Sequence, residues 1–200
     1  MDGTGAVLYP GMPVHLDSLL AGIWFTNNGY TESITSFDVP DDPALSLKKW
    51  HIENEWGWCA SALFPVNPFE ALHYRRKRTN IDRVELTQGR IILDGLKMGN
   101  RNNPMPLVLC TEIIGYAAGD KEGVQELCRG VRNIGKDFAR GKGRVNSFEI
   151  EEIEQNFSLW KDGKAMRYLP KKDGTRIGRI RPPYYNVNSM VKSCFVLEAV

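Results

Sequence analysis

The order of apolar stretches in these 200 residues predicts an α+β protein. The expected architecture is a ferredoxin-like (RRM-like, split βαβ) core with an inserted β-hairpin and a C-terminal extension. Three observations lead there. Leu16, Leu19, Leu20, Ile23 and Trp24 recur at helical spacing. A second helical stripe runs through Val124, Leu127, Cys128 and Val131. Around these two helices lie short runs of strand character, giving the order strand, helix, strand, hairpin, strand, helix, strand. The core is expected over 1–155 with the hairpin inserted at about 74–106, and the extension over 156–200 packs on the same core.

Gly5 to Tyr9 is short, apolar and closed by Pro10 and Pro13, so it reads as a stubby first strand. The first helix follows, with Asp17 as the expected N-cap and Asn27-Asn28-Gly29 as its stop. Residues 30–49 hold Pro40, Pro43 and three aspartates and read as a loop. Trp56, Trp58, Ala60 and Ala62 alternate with Gly57, Cys59, Ser61 and Leu63, a strand packed on both faces and ended by Pro65 and Pro68. Val84–Leu86 and Ile91–Leu93 flank Gln88-Gly89 as a hairpin. Gly95 to Pro104 has no periodicity and reads as an extended loop. Leu107 to Tyr116 is a strand, Asp120 caps the second helix, and Gly135 ends it. Val145 to Ile153 alternates Phe148, Ile150 and Ile153 with glutamates, a half-exposed strand, and Ser193 to Val200 closes the chain as an apolar strand.

A hydrophobic fraction of 42% suffices for a core and argues against disorder. The four cysteines form no CxxC pair and sit in apolar runs, so they read as buried free thiols of a reducing compartment, with no metal site. No run of eighteen apolar residues and no leader pattern is present. The protein is expected to be cytoplasmic, with no membrane partner. Net charge is only +2, yet residues 1–74 carry nine acids and two bases, leaving 24 bases and 15 acids for the rest. That asymmetry predicts a polyanion partner for the C-terminal two thirds.

The stretch from Ile134 to Val145 concentrates the signal. Gly135, Gly141 and Gly143 let a backbone approach a ligand closely, and Lys136, Arg140, Lys142 and Arg144 supply attraction to phosphate. Other basic groups are Arg75, Arg76, Lys77 and Arg78; Lys97 with Arg101; Arg132; and Arg167 through Arg179 and Arg181. Single-stranded RNA is held by such cations along its phosphates and by aromatic rings under its bases. Tyr74, Tyr184 and Tyr185 adjoin the clusters and are the stacking candidates. The five tryptophans read mostly as core, and none is a stacking candidate. For each cation alone, a solvated surface charge is the competing explanation, and for each tyrosine, core packing.

Four strings also carry a resemblance: Pro13 to Ala21; Gly95-Leu96-Lys97 before Met105-Pro106; Gly119-Asp120-Lys121 through Ile134-Gly135-Lys136 to Gly141-Lys142-Gly143-Arg144-Val145; and Asp162-Gly163-Lys164 before Met166 to Pro170. Together they resemble the RAMP superfamily of CRISPR effector proteins, and within it the type IV member of the Cas-five class. Lys142 stands where that family's loop usually has an aromatic between the glycines.

The resemblance implies a ferredoxin-like fold and a non-catalytic subunit of a prokaryotic ribonucleoprotein that caps the 5′ handle of the crRNA and uses no cofactor. Implied partners are the crRNA, a Cas-seven-like backbone subunit, the large subunit and target DNA. The alternative from the same superfamily is a metal-independent crRNA-processing endoribonuclease. It needs a base for a 2′-OH, and His73 beside Tyr74 and Arg75 is the candidate. His15, inside the first string, reads as structural. A small-molecule nucleotide enzyme is a third reading, disfavoured because no GxxxxGK[ST] string exists and Gly141-Lys142-Gly143 follows a helix instead of opening one.

Overall fold

The computed structural model describes residues 13–30, 40–77, 101–135, 142–172, 174, 176–184 and 190–194. The expected strand at 5–9 and hairpin at 84–93 lie outside them. The described chain is mixed helix and strand, with small antiparallel sheets.

Helix α1 spans Leu16–Asn27. Its N-cap is His15, whose side chain makes no capping bond, and Asp17 is buried within the first turn. This corrects the expected cap. Leu20 and Ala21 are buried while Leu16, Ile23 and Trp24 are only partly so. The helix is therefore turned so that positions 17, 20, 21 and 24 lead inward. Helix α2, Lys121–Cys128, is capped as expected, the Asp120 carboxylate accepting from Gly123 N at 2.7 Å. It ends well before Gly135. Val124 and Leu127 meet Leu20, Ala21, Leu45, Leu47, Trp58 and Ala60 in one apolar cluster that packs the helices together.

Strands β1 (Lys49–Ile52) and β2 (Glu55–Trp58) form a hairpin. The expected strand through Leu63 stops at Trp58, because the chain beyond is shared among several partners. Ala60 bridges Ala117, Ala62 bridges His15, and Ala62 N donates to Met166 O. Strand β3 (Phe64–Val66) then pairs with β6 (Glu112–Ile114). Strand β4 (Phe69–Lys77) pairs along its whole length with β5 (Arg101–Leu109), so Arg101 to Pro104 belong to a strand and not to the loop expected there. Residues 145–153 make no strand: they lie outside every ladder, and Ile153 is exposed, with Ile150 alone packing on the helix cluster.

In the C-terminal part, β7 (Trp160–Lys161) and β8 (Lys164–Ala165) form a tight hairpin. Strands β9 (Leu169–Pro170), β10 (Arg176–Arg179) and β11 (Met190–Cys194) make a three-stranded sheet in the order β10-β11-β9. A second apolar cluster of Trp50, Cys59, Ala165, Leu169 and Ile180 joins this part to the first hairpin.

A buried polar knot fastens these parts. Arg167 is fully buried. It donates to Asp17 Oδ2 at 3.0 Å, to Ala60 O at 2.8 Å, to the Tyr184 hydroxyl at 3.1 Å, and to the carbonyls of Trp58 and Ile180. The Tyr184 hydroxyl donates to Asp17 Oδ1 at 2.9 Å. His15 stacks on Tyr184 with ring centroids 5.2 Å apart and an interplanar angle of 6°, and leans on Tyr168. Burial, then the Arg167 charge, holds the His15 imidazole well below its ordinary value. Burial pushes the Asp17 carboxyl up, against the pull of Arg167.

Breaking a buried ion pair from one side strands the other charge and costs about 3–5 kcal/mol. Arg167→Met should lose stability on that scale in urea unfolding, with Arg167→Lys recovering little because a lysine cannot fork to so many acceptors. The double variant Asp17→Leu/Arg167→Met should lose less than Arg167→Met alone.

His15 adds a pH dependence. Below its ordinary value of 6.5 the unfolded chain binds a proton there that the folded chain refuses, so its contribution falls as pH drops, by about 1.4 kcal/mol per pH unit. Asp17 acts oppositely, its folded carboxyl holding a proton more readily than the unfolded one, and only above its ordinary value of 3.8. The urea midpoint should drop from pH 7.5 to 5.5, and His15→Phe should flatten that drop.

Candidate nucleic-acid interface

Cross-strand pairing brings two sequence-distant basic groups together. In the β4–β5 register Arg75 faces Asn103, Arg76 faces Asn102 and Lys77 faces Arg101. The far end of this hairpin therefore carries four of the predicted cations within three cross-strand pairs. Further down, Tyr74 is 47% exposed opposite an exposed Pro104, and Leu72 is 56% exposed opposite Pro106. Directly opposed residues share a face, so ring, prolines and leucine make an apolar stripe leading to the basic end. Arg78 and Lys97 lie outside the described residues. So does the side chain of His73, whose backbone pairs with Met105.

The glycine-rich stretch is described at its neck, with Lys136, Arg140 and Gly141 outside. Asn133 bridges Arg144, Ile134 N donates to Gly143 O, Val145 N donates to Arg132 O, and Asn133 Nδ2 donates to Lys142 O at 3.1 Å. The two ends of the loop are thus laced side by side. Gly143 has φ +65°, and a Cβ there would sit 1.9 Å from Ile134 O. Gly135 also has positive φ. These glycines serve the neck itself. Arg132 and Arg144 project from it exposed, and Lys142 is half-buried.

The C-terminal candidates are placed differently. Arg167 and the Tyr184 hydroxyl are consumed in the buried knot, and one face of the Tyr184 ring is covered by His15. Arg181 pairs with Glu55 at 3.1 Å and lies 4.9 Å from the centroid of Trp56. Lys49 stands 4.7 Å from the same ring. Arg179 is half-buried on β10, and Tyr185 lies outside the described residues. Of the predicted surface, the loop neck therefore presents Arg132 and Arg144 outward and the hairpin end brings four cations together in its backbone register, while Arg181 and Tyr184 hold the fold together.

No cluster of metal-ligating side chains occurs among the described residues. Cys59, Cys110 and Cys128 are free, with thiols pushed up by burial. No described helix is long and apolar enough to cross a membrane. Sequence reading overlooked Trp160, which is 46% exposed. Its neighbours Lys161, Asp162, Gly163 and Lys164 were the available signal, since a tryptophan beside a two-residue polar turn has little apolar sequence to bury it.

Gly143→Ala should open the neck, costing about 1–3 kcal/mol through positive φ and the clash with Ile134 O. Thermal unfolding measures it, and Gly163→Ala, at a positive-φ turn with open space around it, should cost less.

No curated protein matches the chain. Residues 105–196, a little under half of it, match the family model of CRISPR type IV associated protein Csf3, and this indicates a type IV CRISPR-associated subunit.

Proposed function

We propose that the chain is a non-catalytic RNA-binding subunit of a type IV CRISPR ribonucleoprotein, built on a ferredoxin-like core of the RAMP kind and capping the 5′ handle of the crRNA in the prokaryotic cytoplasm. The observation that carries this reading is the family match over residues 105–196, which include the whole glycine-loop neck with Arg132 and Arg144. Packing of α1 and α2 on one cluster supports the core assignment.

The chemistry follows from what faces outward. Arg132 and Arg144 flank a laced neck, so their backbones are fixed before a ligand arrives and little ordering entropy is lost on binding. Guanidinium groups engage phosphate oxygens two at a time. The basic end of the β4–β5 hairpin adds a second phosphate-binding group, and Tyr74 a ring for a base. Such an interface grips a strand without cutting it. The backbone subunit, large subunit and target DNA are the neighbours this role requires. His15 is buried, stacked and held neutral, so it is a structural group and not a base for RNA cleavage.

If about five phosphates are neutralised, log K for a repeat-derived RNA should fall against log salt with a slope of about −3.5. Arg132→Ala/Arg144→Ala should weaken binding and flatten that slope while leaving the unfolding midpoint near the parent's. A slope near zero for the parent, or unchanged affinity in the double variant, removes the electrostatic basis of the reading.

A further inference from the structure

Trp160 opens β7, and the turn beyond it is Asp162-Gly163, with φ of 50° and 76°. Positive φ at both central residues is the tight turn that matches strand twist, so the hairpin is held by its own backbone geometry. It is also pinned to the body. Lys161 Nζ donates to the Tyr116 hydroxyl at 3.2 Å and lies over the Tyr116 and Phe157 rings at 5.3 and 5.4 Å. Ala165, paired with Trp160, is buried in the second apolar cluster, and Met166 N donates to Leu159 O at the hairpin's base.

A rigid, doubly anchored hairpin thus holds out an indole. All five tryptophans of the chain are described: Trp50 and Trp58 are buried, Trp24 and Trp56 half-buried, and only Trp160 is exposed. Its surroundings identify the kind of partner. A protein-binding tryptophan sits at the centre of an apolar patch that keeps water out. Trp160 instead adjoins Lys161, Asp162, Gly163 and an exposed Lys164 across the turn. An exposed ring flanked in sequence by polar residues, on an element anchored to the body, is what an unpaired base requires, because every base offers a π-face. Glu149, Glu151, Glu152 and Glu154 occupy the preceding exposed stretch, so stacking and not local charge has to supply the contact.

We propose that the Trp160 hairpin is a stacking platform for one unpaired base of single-stranded RNA, separate from the glycine-loop neck. The inference rests on the RNA-binding reading above and adds to it a second base contact, apart from the one assigned to Tyr74.

The test uses the full chain, acrylamide quenching of tryptophan fluorescence, and an unstructured labelled RNA of about a dozen nucleotides, with heparin as a stackless polyanion. RNA should shield the accessible indole, and heparin should not. Trp160→Ala should weaken RNA binding by about fivefold or more, Trp160→Phe should retain most of it, and the salt slope should stay the same in both. Because Trp160 is exposed, Trp160→Ala should unfold close to the parent midpoint. If the parent binds RNA but Trp160 stays quenchable and Trp160→Ala binds equally well, the platform is refuted while the RNA-binding reading stands. Equal shielding by heparin also refutes stacking. If the parent binds no RNA at all, both readings fall together.

Discussion

A fully buried guanidinium is tolerated only where acceptors surround it, and here four stretches of chain supply them. Asp17 comes from α1, the Trp58 and Ala60 carbonyls from the end of β2, the Ile180 carbonyl from beyond β10, and the Tyr184 hydroxyl from the turn after it. Asp17 and Arg167 are 150 residues apart. Desolvating two charges is expensive, and the return depends on geometry that only the native arrangement provides. The knot therefore penalises alternative packings of helix, first hairpin and C-terminal sheet more than it stabilises the native one.

The two clusters beneath the knot show how the fixed point is used. One joins both helices to Leu45, Leu47 and Trp58; the other joins Trp50 and Cys59 to Ala165, Leu169 and Ile180. The segment 58–60 lies in both and also feeds carbonyls to Arg167. Its small residues make that possible. Ala60 is fully buried in the helix cluster, and a larger side chain there would have to displace packed neighbours. Near Gly57, an added Cβ would meet the Trp50 ring at 2.5 Å.

Helix α2, its Asp120 cap and the existence of α1 were legible because they rest on local chemistry: apolar spacing of 3.6 and a carboxylate three residues before an orphan amide. Asp17 was misread because an aspartate near a helix start is usually a cap. Its spacing to Leu20, Ala21 and Trp24 put it on the inward face, but the partner that makes an inward carboxylate tolerable lay 150 residues away. The strand expected over 145–153 failed for a related reason, since alternation describes a face and not a neighbour to pair with. In the candidate interface, sequence found the cations, but it could not tell an arginine for a ligand from one for the fold. Arg132 and Arg167 look alike in sequence; one is exposed at a loop neck and the other is fully buried.

That distinction changes what the charge asymmetry means. Part of the basic excess in the C-terminal two thirds answers acids of the N-terminal part: Arg167 takes Asp17, and Arg181 takes Glu55 while covering one side of Trp56. Those charges are spent internally and generate little field at a distance. Among the described side chains, Arg132 and Arg144 stay exposed at the loop neck, where the laced backbone fixes their positions. Net charge along a sequence therefore overstates the reach of an interface, and burial of its members corrects the figure.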